Sequence, residues 1–159
     1  MKVMKMDEIT DDKSLVAALK KAHQDTKDLD YKVREKRLDE AVSLAVKKAF
    51  DLMGFDGVFQ TYRRIEEANG GETFTSEIFD NDARDSLESA VTELAIERKS
   101  EMTEKQRHNL FETNILYRGL SVSRSKTLAD NLGLQLTPER LKLIQEGLVR
   151  NSKMKFWKK

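Results

Sequence analysis

The chain has 159 residues, the length of one ordinary domain with room for a real core. Charged residues make up 36% and hydrophobic ones 38%; there is no cysteine, which excludes a disulfide framework and a thiolate metal site. The net charge of +1 signals no polyanionic partner for the chain as a whole. No apolar run approaches the roughly 20 residues a membrane-spanning helix needs, and "MKVMKMDEIT" lacks the apolar stretch of a secretory signal. A soluble, cytoplasmic protein is therefore expected.

In chain order, "TDDKSLVAALKKAH" offers acidic capping residues and then Leu15, Ala18, Leu19 and Ala22 at helical spacing. "DYKVREKRLDEAVSLAVKKAFDLMG" predicts the strongest helix. Its apolar stripe is Leu38, Ala41, Val42, Ala45, Ala49, Phe50 and Met53, with Gly54 where a C-terminal cap belongs. Gly57 allows a break before another helix that carries Val58, Phe59, Tyr62 and Ile65 and ends at Asn69, Gly70 and Gly71.

"GETFTSEIFDND" is the least helical stretch, a short extended segment or a loop that pins Phe74 and Phe79. From about Asp82 a longer helix turns Leu87, Ala90, Val91, Leu94 and Ala95 inward, capped by Asp82 or Asp85. Thr103 and Glu104 open the next helix, with Leu110, Phe111, Ile115, Leu116 and Tyr117 buried and Gly119 closing it. Strict two-residue alternation is absent. The pattern predicts an all-α bundle of about six to seven helices, ending in a helix-turn-helix-like hairpin and a basic tail. Two regions are expected: residues 1–120 as an acidic bundle for dimerisation or partner contact, and residues 121–159 as the basic hairpin packed on the same domain.

Charge distribution singles out the C-terminal region. Residues 121–159 hold nine Lys/Arg against three Asp/Glu, whereas residues 1–120 hold 20 against 25. Within the region, Ala129 and Gly133 have the four-residue spacing of a helix-turn-helix crossing and turn, flanked by Leu128 and Leu132. Ser123 is the expected N-cap of the first helix. Thr137 and Pro138 open the second as N-cap and N1. Its apolar residues Leu141, Ile144 and Leu148 come about two places later than a tight turn would set them, so Gln135 and Leu136 lengthen the turn.

This arrangement points to a small DNA-binding or DNA-associated regulator. Arg140, Lys142 and Gln145 have donors suited to base edges in a major groove. Arg124 and Lys126, with Arg150, Lys153, Lys155, Lys158 and Lys159, suit backbone phosphates, and Trp157 suits stacking on a base. The same stretch is also the ordinary last hairpin of a helical protein. In that case the chain is a protein-binding adaptor, inhibitor or assembly factor without nucleic-acid binding, using the charge-laced helix that starts near Asp30. The partners in view are thus DNA, another protein, or a second copy in a homodimer.

Catalytic and metal chemistry find little support. Neither His23 nor His108 follows a glutamate at the Glu-x-x-His spacing of a di-iron bundle. Glu101, Glu104, His108 and Glu112 share a helical stripe, which reads first as a solvated, salt-linked face. "DNDARDSLE" fails as a calcium loop at its ligand, glycine and final glutamate positions, and "ANGGE" is no phosphate loop. No enzyme activity, cofactor or metal is expected.

Overall fold

The computed structural model describes residue 9, residues 11–118 apart from 71–80, and residues 120–157. For residues 68–70, 81–83 and 151–157 the backbone alone is described. The stretch with Phe74 and Phe79 lies outside the described residues, as do Gly71 and Gly119, and so does the side chain of Asp82. The protein is all-α, with six helices and no strand among the described residues: α1 Asp12–Thr26, α2 Tyr31–Gly70, α3 Asn81–Glu97, α4 Glu104–Tyr117, α5 Val122–Asn131 and α6 Pro138–Trp157. A 3-10 turn, Lys99–Glu101, precedes α4. The chain forms two compact units, Met1–Leu94 and Ala95–Lys159, so α4 belongs with the C-terminal hairpin.

In the first unit, Asp11 caps α1 reciprocally with Ser14, as the acidic "TDD" start suggests. The apolar positions expected of α1 are all buried. α2 is two limbs. Gly54 adopts φ 78° and ψ 174°, a conformation open essentially to glycine alone, and the helix resumes immediately after it. The break thus falls at Gly54, and Gly57 is helical.

The two limbs fold back on each other. In a straight helix Arg34 and Arg64 would lie about 45 Å apart, at 1.5 Å per residue. Yet Arg64 bonds Asp12 at one end of α1 at 2.8 Å, and Arg34 faces His23 near the other at 3.2 Å. α1 itself spans only about 16 Å between those two residues. The start of α3 agrees, because Ser86 bonds Asp39 on the first limb while Arg84 pairs with Glu66 on the second. Around the break Phe50 meets Phe55 edge-on at 6.1 Å, and Phe55 stacks on Phe59 at 5.4 Å. Each such ring contact contributes about 1 kcal/mol beyond its buried area.

The two limbs bury Leu38, Val42, Ala45, Ala49, Val58, Phe59, Tyr62 and Ile65, as their periodicity predicts. Ala41, Phe50 and Met53, placed in the same stripe, are half-buried. Leu87, Ala90, Val91 and Leu94 of α3 are buried as well.

Candidate nucleic-acid interface

The second unit is built on α4. Thr103 caps it in a reciprocal box with Gln106, and Leu110, Phe111 and Ile115 are buried while Leu116 and Tyr117 are half-buried. α5 starts after a short connection and is capped by Ser121, whose hydroxyl accepts from the Arg124 amide; Ser123 lies inside the helix. The cap falls two residues early because the Ser121 backbone is extended and that of Ser123 is already helical.

The end of α5 is tightly specified. Gly133 takes φ 68°, the Leu134 amide donates to the Ala129 carbonyl at 2.8 Å, and the Gly133 amide donates to that of Asp130 at 3.0 Å. This is a Schellman termination, which the left-handed glycine makes possible. Ala129 and Leu132 are fully buried, whereas Gly133 itself is exposed. The Arg107 guanidinium donates to the carbonyls of Leu132 and Gly133 at 2.9 and 3.1 Å, and the Lys99 ammonium donates to that of Asn131 at 3.2 Å. Two cations therefore satisfy the negative end of the helix dipole.

α6 begins at Pro138 with Thr137 as its cap. It then runs parallel to α4, because their meeting points ascend together on both helices. Arg140 meets His108, Gly147 meets Ile115, and Arg150 lies over the Tyr117 ring at 5.0 Å. At the middle meeting point a Cβ on residue 147 would stand 2.6 Å from Ile115 Cγ2 and 2.7 Å from its carbonyl oxygen. Glycine is what lets the two helices approach so closely. α4, α5 and α6 thus run up, down and up.

The sequence-predicted binding residues fall into three groups. Arg124 and Lys126 on α5, and Lys142, Gln145 and Arg150 on α6, are exposed. Arg140 is not: it is only 8% exposed, its Nε donates to His108 Nδ1 at 3.2 Å, and a terminal nitrogen donates to the Gln135 carbonyl at 2.9 Å. Its guanidinium ties the α5–α6 connection to α4 and is not displayed on the outer face. Conversely Leu141, expected inside, is 41% exposed, so α6 is turned so that Arg140, Ile144 and Gly147 face inward. Lys153, Lys155 and Trp157 lie within α6, which continues as a helix through the basic run; Lys158 and Lys159 lie outside the described residues.

The parallel packing gathers charge at one end. α5 starts where α4 ends, and Arg150 sits beside Tyr117 at that same end, so Arg124 in the first turn of α5 lies toward the end from which the basic last turns of α6 run on, with Lys126 midway along α5. At the opposite end, a cavity of about 370 Å³ is lined by Glu104, Lys105, His108, Gln135, Glu139 and Arg140 among others, with carboxylates matching cations. Of the acidic stripe, His108 Nε2 comes within 3.9 Å of Glu112, and among the described residues no three such groups converge as for a metal. No described helix is long and apolar enough to cross a membrane.

Several of these features escape a local reading of the sequence. The Arg107 and Lys99 caps join residues 25 to 32 positions apart, and no short-range pattern marks them. Gly147 left a signal, a glycine within an otherwise periodic helix, which marks a close approach. No protein-family model, curated protein or solved structure matches this chain.

Proposed function

We propose that the protein is a small DNA-associated regulatory protein that grips backbone phosphates with the basic end of its C-terminal three-helix unit. The observation that carries this reading is that exposed Arg124, in the first turn of α5, and exposed Arg150 lie toward the same end of the unit as the lysine-bearing end of α6, with exposed Lys126 midway along α5. Cations on two helix ends, next to the amides of an α5 N-terminus, suit successive phosphates of a duplex. Lys142 and Gln145, exposed on α6, are the remaining candidates for base edges. Arg140 is assigned a structural role. The association is one of binding, with no catalytic step.

Fluorescence anisotropy with duplex DNA across a salt series tests this. Binding should weaken steeply as salt rises. Replacing Arg124 and Lys126 together by alanine should flatten the log–log slope by about 0.9 for each phosphate that the variant no longer neutralises. Truncation after Asn151 should flatten it further. Absence of binding at low salt overturns the proposal.

A second reading rests on a different observation. Val33, Leu44 and Leu52 are exposed along the outer face of the first α2 limb, as expected of an adaptor, inhibitor or assembly factor that binds protein and no nucleic acid. That reading predicts a co-purifying partner whose binding is indifferent to truncation after Asn151.

A further inference from the structure

The outer face of the first α2 limb carries a symmetric pattern. Leu44 is 55% exposed at its centre. Four residues before and after it stand Glu40 and Lys48; seven before and after stand Arg37 and Asp51. At 100° per residue these five positions fall within 40° of the Leu44 direction, a single stripe. Glu40, Arg37 and Asp51 are exposed and Lys48 is half-buried. Val33, eleven residues before Leu44, falls on the same stripe and is exposed. The charges at equal distances on either side of Leu44 are opposite in sign both times.

We propose that this stripe is a homodimer interface on which a second copy of the chain packs antiparallel, its two-fold axis passing through Leu44. A two-fold axis brings residue 44 − n of one copy to residue 44 + n of the other. Leu44 then meets Leu44 of the partner subunit, Arg37 meets the partner's Asp51, and Glu40 meets the partner's Lys48. Each ion pair occurs twice. A parallel, in-register pairing would set Arg37 on Arg37 and Glu40 on Glu40, so the charge pattern selects the antiparallel arrangement.

A groove bordering the stripe is lined by Thr26, Val33, Lys36, Arg37, Ala41 and Leu44. With a second copy of the same helix, the mirror relation of the charges becomes two complementary ion pairs on each side of the axis. The dimer does not rest on the DNA reading, and a dimer that binds no DNA would leave it intact.

The test is a charge swap followed by sedimentation equilibrium of the full chain. The wild-type protein should associate to twice the chain mass at micromolar concentrations. Arg37→Glu alone sets two carboxylates against each other twice, and Asp51→Arg alone does the same with two guanidiniums. Each should weaken the dimer at least about tenfold, since like charges meeting at an interface are strongly disfavoured. An equimolar mixture of the two variants restores both pairs in the heterodimer, so the mixture should associate as tightly as wild type. Circular dichroism should show wild-type helicity for both, which separates lost association from lost fold. A wild-type monomer at all concentrations overturns the proposal, including the case in which a different protein takes this face. So does a dimer that the single variants leave intact, or a mixture that fails to re-associate.

Discussion

Gly54 and Gly133 are the two residues with positive φ among those described, and each ends a helix, yet they do so by different physics. Gly133 sits in the left-handed helical region and terminates α5 through amide bonds back to Ala129 and Asp130, with Arg107 closing over the exposed carbonyls. Gly54 sits with ψ at 174°, outside that region, and no atom lies within 4 Å of where a Cβ would be. Its constraint is purely one of backbone conformation. The first turn is held by several partners and has a φ that asparagine can also adopt; the second depends on the backbone freedom of one residue.

That contrast sets the largest expected effect. Gly54→Ala should destabilise the protein by about 3 kcal/mol, and Gly54→Asn by nearly as much, because neither side chain gains access to that region. Gly133→Ala should cost about 1 kcal/mol, and Gly133→Asn less, because asparagine enters the left-handed region readily. A Cβ there would lie 3.1 Å from the end of the Arg107 side chain, which can shift. Chemical denaturation of the four variants checks this, and equal costs at both sites would erase the distinction.

Arg140 and Leu141, neighbours on α6, make a second contrast. Counting apolar residues turns Leu141 inward and leaves Arg140 outside; the structure reverses them. Arg140→Ala removes two hydrogen bonds of a charged donor, takes that donor from His108 Nδ1 and leaves the Gln135 carbonyl with the Thr137 amide, a cost of about 2 kcal/mol. Leu141→Ala, at a position 41% exposed, should cost less than about 1 kcal/mol. Thermal unfolding separates the two. Arg140→Ala that leaves stability intact but alters DNA sequence preference would return this residue to the outer face.

The reversal shows where sequence reading reaches its limit. Periodicity located the limbs of α2 through Leu38, Val42, Ala45 and Ala49, because burial of a continuous stripe is a local property of the chain. Capping chemistry located the acidic start of α1, Thr103 and Thr137, because each of these caps is satisfied within three residues; it set the α5 cap at Ser123, where the structure has Ser121. Arg140 could not be located this way. Its burial is made tolerable by the Gln135 carbonyl nearby in the chain and by an acceptor on His108, 32 residues earlier, which only the fold brings to it. The placing of Arg124 and Arg150 toward one end is of the same kind. Composition showed that residues 121–159 are basic; the parallel course of α4 and α6 decides which of those cations lie toward the same end.

The smallest effect belongs to the first unit. Asp12 ties the start of α1 to the second α2 limb, taking bonds from the Thr61 hydroxyl at 2.6 Å and the Arg64 guanidinium at 2.8 Å. Partial burial pushes the Asp12 carboxyl up, but the bonds from Arg64 and Thr61 and the Arg64 charge outweigh it and leave the group below its usual value of 3.8. A carboxylate whose folded pKa lies below its unfolded one stabilises the fold fully above the unfolded value. That contribution fades as pH falls below about 4 and is gone once the folded carboxyl is protonated. Because the Asp12 and Arg64 side chains are each about half exposed, solvent screens the pair and its worth is on the order of 0.5–1 kcal/mol. Asp12→Asn should therefore lower the unfolding midpoint slightly at pH 7, and by progressively less as the pH falls below about 4. Parallel stability–pH curves for the variant and the wild type would mean that Asp12 is held for its packing on Thr61 and not for its charge.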